Sequence, residues 1–210
     1  MPIYKTITVS KTTVLYIWQV TEAEAWLNTG VILTKHCQER LFAMKSALHR
    51  RAFLSIRHLF HAAGFEDKDV YYNDHGKPFL YDGRHISITH SNEFTAIIVS
   101  SAQEVGVDIE KQRDKILRIA HKFTPLAAYR TLANTEAIIR KLTIVWGAKE
   151  SLYKIYAQPG LSFLKHIDVQ DFVFEDGSTE ADIHYQGQKT SYTIFFLEFE
   201  GFTCVYALGK

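Results

Sequence analysis

The chain has 210 residues, 47% hydrophobic and 22% charged, with a formal net charge of +1. That is an ordinary globular composition, with enough apolar material for one large domain or two small fused ones. Near-zero net charge excludes a global pull toward nucleic acid or a membrane surface, and no stretch approaches the ~20 apolar residues of a spanning helix.

The opening, Met1-Pro2-Ile3-Tyr4-Lys5, lacks the apolar core of a signal peptide, so a cytoplasmic location is the expectation. Val14–Val20 is β-rich and reads as a buried strand. A long helix is predicted from about His36 to Ala63, stopped by Gly64, with Leu41, Met44, Leu48, Ala52, Ile56 and Leu59 on its apolar side. This region is basic: residues 35–61 carry Lys35, Arg40, Lys45, Arg50, Arg51 and Arg57 against the single acid Glu39. Arg50 and Arg57 are seven apart and nearly in register along the helix. Cys37 and Cys204 lie far apart, match no metal-ligand spacing and read as buried thiols.

The turn Asn73–Pro78 leads to three short strands at His85–Thr89, Phe94–Ser100 and Val105–Glu110. Helical material is predicted from Ile116 to about Lys141, interrupted near Pro125, and again over Thr143–Ala157, where Pro159-Gly160 ends it. The remainder alternates as strands at Ile167–Phe174, Ala181–Tyr185, Ser191–Phe199 and Thr203–Leu208. Residues 164–202 hold eight acids against Lys165 and Lys189. Each half thus combines helix with antiparallel-looking strands, an α+β architecture.

Five constellations carry possible chemistry. In Val105-Gly106-Val107-Asp108-Ile109-Glu110, strand alternation points Asp108 and Glu110 the same way, away from Val107 and Ile109. Two adjacent carboxylates suit Mg²⁺ held together with phosphate oxygens, or simply a solvated strand end. In Trp146–Lys154, Glu150 and Lys154 are four apart on a helix: an ordinary ion pair, or two site residues. Gly147 is unfavourable inside a helix and implies a close approach there. The cluster Thr89-His90-Ser91 offers small donors around a histidine, which is either structural or a phosphate contact. Gly76-Lys77-Pro78 is a rigid turn whose backbone could edge an adenine. The Arg50/Arg57 pair fits phosphate geometry, or a solvated helix face.

In this order, G-K-P (76–78), I-S-I-T-H-S (86–91), V-G-V-D-I-E (105–110) and W-G-A-K-E-S-L-Y-K (146–154) resemble the surfactin-type 4'-phosphopantetheinyl transferases. The resemblance spans about residues 36–165, with 42 residues between Asp108 and Glu150. It implies two similar α+β halves packed as a pseudo-dimer, over 1–104 and 105–210, with coenzyme A in the cleft between them. It implies transfer of the phosphopantetheine arm of coenzyme A to a serine of an apo acyl or peptidyl carrier protein, releasing 3',5'-ADP. Asp108, Glu110 and Glu150 would hold Mg²⁺, and Lys154, with Lys149 as a second cation, would meet phosphate. Thr89 and His90 would touch coenzyme A phosphates, Lys77 and Pro78 would border the adenine, and Arg50 and Arg57 would meet the 3'-phosphate. Glu150, Lys154 and Glu110 would be the catalytic groups. Neither nucleic acid nor membrane is an expected partner, and two fused halves make a monomer sufficient.

One departure stands out. Many members carry a glutamate shortly after the metal strand, and here Phe123–Tyr129 offers Ala127 and Ala128 instead. That keeps open a degenerate relative that binds coenzyme A or a carrier protein without turnover, and, more distantly, an unrelated α+β nucleotide-binding module.

Overall fold

The computed structural model describes residues 3–125 and 134–210. The chain divides into two compact units, Met1–Glu104 and Val105–Lys210, each a mixture of helix and antiparallel sheet. Among the described residues no helix is long and apolar enough to cross a membrane.

The N-terminal unit is built on strands β1 (Ile3–Thr8), β2 (Thr13–Gln19), β5 (His85–Ser91) and β6 (Phe94–Ser100), in the order β1-β2-β6-β5. β6 is buried along its whole length, so its run of apolar residues does not alternate. Helices α1 (Glu24–Leu27), α2 (Lys35–Ala43) and α3 (Ala47–Ala62) lie between β2 and the small hairpin β3–β4 (Val70–Tyr72, Pro78–Leu80). Leu54, Ile56, Leu59 and Phe60 of α3 share a core with Trp18 of β2 and Ile97 and Val99 of β6.

The single helix expected over 36–63 is two helices. Met44 is extended (ψ 113°), and the Ser46 side chain accepts from the His49 N–H to start α3 afresh. Arg50 pins the break by donating to the carbonyls of Met44 and Lys45. The change of direction turns Leu48 outward, whereas Ala52, Ile56 and Leu59 stay buried. Gly64 (φ +83°) closes the segment as expected, since left-handed backbone strains any residue with a Cβ.

The C-terminal unit has a five-stranded antiparallel sheet ordered β7-β11-β10-β9-β8, with β7 (Val105–Lys111), β8 (Ile167–Val169), β9 (Ser178–Tyr185), β10 (Gln188–Phe199) and β11 (Phe202–Gly209). After β7 come a short α4 (Lys115–Ile119) and a 3-10 turn at Ala120–Lys122. The helix α5 (Thr135–Tyr156) and a one-turn α6 (Phe163–His166) follow.

The division expected between Lys141 and Thr143 is absent, and α5 runs 22 residues without a break. Thr143 is accommodated because its hydroxyl donates to the Ile139 carbonyl one turn back, at 2.7 Å. Asn134 caps the start and Ala157, in the left-handed region, ends the helix just before Pro159. The strand expected over 167–174 stops at Val169. Beyond it the Lys141 ammonium takes the Phe172 carbonyl and the Asp171 carboxylate, drawing the chain off the sheet toward α5.

Two glycines set how closely α5 lies on the sheet. A Cβ on Gly106 would stand 2.0 Å from the Ser151 carbonyl oxygen, and one on Gly147 would stand 2.7 Å from Val205 Cγ2. The close approach implied by Gly147 is therefore made by β11. Gly147→Ala is expected to destabilise the protein by about 1–3 kcal/mol through overpacking. Urea titration checks this, and an unchanged midpoint would mean that Val205 can turn aside freely.

Candidate active site

On β7, Val107 and Ile109 are fully buried on one face, while Gly106, Asp108 and Glu110 look toward α5. On α5, Trp146, Glu150 and Lys154 recur every four residues and form one stripe. The two rows meet. The Trp146 indole donates to Glu110 Oε1 at 3.2 Å, and Lys154 Nζ donates to Asp108 Oδ1 and to the Val107 carbonyl, each at 2.8 Å. Glu150 stands on the stripe between Trp146 and Lys154, within the field of both Asp108 and Glu110.

Crowding raises the proton affinity of two of the carboxyls, Glu150 and Glu110. Burial, reinforced by the Asp108 and Glu110 charges and partly offset by Lys154, pushes the Glu150 carboxyl from 4.5 up to about 7. Burial and Asp108 likewise raise Glu110 above its usual range, against the opposing indole hydrogen bond. Asp108 is only 6% exposed, which leaves its charge little water to screen it.

Among the described residues, no three His, Cys, Asp or Glu side chains close around a single point as ligands. Like charges splay: Asp108 turns to Lys154 and Glu110 to Trp146. The donor set nonetheless suits a hard divalent cation, being all carboxylate oxygen, and a cation would relieve the raised proton affinities of Glu110 and Glu150.

A raised carboxyl makes folding take up a proton. Where the unfolded carboxyl has lost its proton and the folded one keeps it, between 4.5 and about 7, stability falls as pH rises. The contribution is whole below the unfolded value and lost through the folded one. In chelator, Glu150→Gln is expected to match the parent protein near pH 4.5. At pH 8 it should exceed the parent by about 1–2 kcal/mol, a figure discounted for the solvent the side chain retains. Thermal melts at the two pH values measure this, and equal stability at pH 8 would contradict the buried-charge account.

The expectation for Lys149 requires correction. It is 3% exposed, and its ammonium donates to the carbonyls of Phe163 (2.7 Å) and Ile167 (2.6 Å). One residue before Glu150, it lies about 100° round the helix and faces α6 and β8 instead of β7. Burial pushes its pKa down to about 8 despite the nearby Asp168.

Arg57 is also corrected. It is 5% exposed, paired with Asp67 at 2.9 Å, and it donates to the Phe53 carbonyl and to Cys37 Sγ. Arg50 is half-buried and salt-bridged to Glu24 at 2.8 Å, besides holding the α2–α3 break. The exposed arginine stripe read from the seven-residue spacing is therefore not formed, because Arg57 points inward.

The other candidates of the N-terminal unit lie along its strands. Thr89 is buried and His90 exposed near the end of β5, with the His90 ring edge-on to His49 at 5.9 Å. Lys77 pairs with Glu104 at 3.4 Å, and Pro78 begins β4. The Asn73 side chain accepts from the N–H groups of His75 and Lys77, which fixes the expected turn. Ala127, Ala128 and their neighbours from Leu126 to Tyr129 lie outside the described residues. Sequence reasoning gave Trp146 no role, although its four-residue spacing to Glu150 already placed it on the same stripe.

An α+β unit whose carboxylates and lysine share one surface has the donor set of the divalent-cation proteins that act on phosphate esters. Residues 104–207, nearly the whole of the C-terminal unit, match the 4'-phosphopantetheinyl transferase superfamily, and that unit belongs to the family. The 4'-phosphopantetheinyl transferase gsp of Aneurinibacillus migulanus is 30% identical over 135 residues, covering 63% of this chain and 54% of that protein. The chain thus spans about half the length of the curated relative it matches.

Proposed function

We propose that the protein transfers the 4'-phosphopantetheine group of coenzyme A to a serine of an apo acyl or peptidyl carrier protein, releasing 3',5'-ADP, with Mg²⁺. The observation that carries this reading is the meeting of Asp108 and Glu110 of β7 with Glu150 and Lys154 of α5. Asp108, Glu110 and Glu150 would hold the Mg²⁺, which supplies charge neutralisation at the pyrophosphate oxygens.

The serine oxygen forms a bond to the pantetheine-side phosphorus, and the bond from that phosphorus to the oxygen of 3',5'-ADP breaks. Lys154, already beside Asp108, can turn its ammonium to the charge that develops on the phosphate. The serine proton must leave, and Glu110 or water held in the cluster would take it. Thr89, His90, Lys77 and Pro78 are proposed coenzyme A contacts. Arg50 would reach a phosphate only by giving up Glu24.

The test incubates an apo carrier protein with Mg²⁺, coenzyme A and the protein, then weighs the carrier. A gain of one phosphopantetheine on its serine supports transfer, and no gain at high enzyme concentration rejects it. Ala127 and Ala128, standing where relatives carry a glutamate, favour a second reading: a relative that binds coenzyme A or a carrier protein without turnover. Calorimetric binding of coenzyme A with no mass gain would identify that case.

A further inference from the structure

The Trp146 side chain does two things at once. Its N–H donates to Glu110 Oε1 at 3.2 Å, and its ring packs edge-on against Phe123 at 5.1 Å and tilted against Phe163 at 5.5 Å. Both packing partners are themselves held. Phe123 is fully buried, and the buried Lys149 ammonium donates to the Phe163 carbonyl. The indole is therefore fixed in place before it meets the carboxylate. An indole N–H can only donate, so it occupies one oxygen of Glu110 and leaves Oε2 for another partner.

Glu110 needs such a hold. It is the second-last residue of β7 and half-buried, and the Asp108 charge on the same face repels it. Lys154 gives its printed hydrogen bonds to Asp108 and to the Val107 carbonyl, not to Glu110. A glutamate released there would swing toward water and away from Asp108 and Glu150. A neighbour that hydrogen-bonds a metal-binding carboxylate sets its direction, and losing one commonly weakens metal affinity by about 10–100-fold.

We propose that Trp146 is a positioning residue, whose indole aims the Glu110 carboxylate at the divalent cation that Asp108, Glu110 and Glu150 would share. The proposal rests on the metal assignment made above and adds to it the side chain that pre-sets one of the ligands.

Trp146→Phe tests it, because phenylalanine keeps a ring against Phe123 and Phe163 and removes only the donor. Mn²⁺ is titrated into each protein, with and without coenzyme A, and the free ion is read by electron paramagnetic resonance. The expected result is a dissociation constant about tenfold weaker in Trp146→Phe. Thermal melts in chelator measure any loss of packing separately. A tryptophan that only packs would lower the melting temperature and leave the Mn²⁺ affinity of the folded protein unchanged, and that result overturns the proposal. A parent protein that binds no Mn²⁺ overturns it too. A parent that binds Mn²⁺ but modifies no carrier removes the transfer reading alone, since the affinity ratio still decides the role of Trp146.

If Trp146→Phe does not fold, the parent protein decides. With isotope-labelled tryptophan, the Trp146 indole N–H resonance is assigned through its proximity to the Phe123 and Phe163 ring protons. It should shift with Mg²⁺ and broaden beyond detection with Mn²⁺. A resonance that neither ion alters overturns the proposal.

Discussion

Glu150→Gln and Asp108→Asn are each expected to lower the rate of carrier modification by on the order of 10³-fold, with the fold intact. Both changes keep side-chain shape while removing the charge and one acceptor oxygen. Asp108 is 6% exposed and 2.8 Å from Lys154, so removing its charge releases the lysine and removes one carboxylate from the cluster. Glu150 stands in the field of both β7 acids, so its replacement removes the helix's carboxylate from the cluster. Single-turnover mass spectrometry of the carrier reads the rate, and calorimetry reads coenzyme A affinity in the same variants. Either variant within tenfold of the parent rate would remove its residue from the proposed machinery. Equal losses in affinity and rate would point to substrate binding in place of the chemical step.

Arg57→Ala should cost about 3–5 kcal/mol of stability while leaving KM for coenzyme A within about twofold. The ion pair to Asp67 is at 2.9 Å, with both side chains almost wholly buried. The guanidinium also lies 3.4 Å over the Phe53 ring. Asp67 in turn accepts from the Thr34 N–H and hydroxyl, so it ties the start of α2 to α3. Deleting the arginine leaves a carboxylate buried without its counter-charge, the costly outcome for such pairs. Arg57→Lys should not restore stability, because one ammonium cannot serve Asp67, the Phe53 carbonyl and Cys37 at once. Urea denaturation measures the first quantity and initial-rate kinetics the second. A large rise in KM for coenzyme A at unchanged stability would restore Arg57 as a phosphate contact.

The fate of the basic helix shows where sequence reasoning stops. Spacing placed Arg50 and Arg57 nearly in register, but spacing alone does not say which side of a helix faces solvent when apolar residues flank both. The core took Arg57 because Asp67, ten residues on, was available as a buried partner. The helix break at Met44–Ser46 was similarly hidden. It rests on a serine cap and on Arg50 reaching back to two carbonyls, and neither feature interrupts the apolar periodicity. Lys149, which the resemblance implied as a second cation, stands about 100° round the helix from Glu150 and donates to the Phe163 and Ile167 carbonyls.

The sequence by itself determined the mixed helix-and-sheet class, the strands β2, β5, β6 and β7, and the pairing of Asp108 with Glu110 and of Glu150 with Lys154. Those follow from periods of two and of about four, which are local properties of the backbone. Only the tertiary structure decided that β7 and α5 face each other, since contact across 42 residues depends on packing. The glycines at 106 and 147 let the helix close on the sheet, and that closure turns four separately unremarkable side chains into one charged cluster.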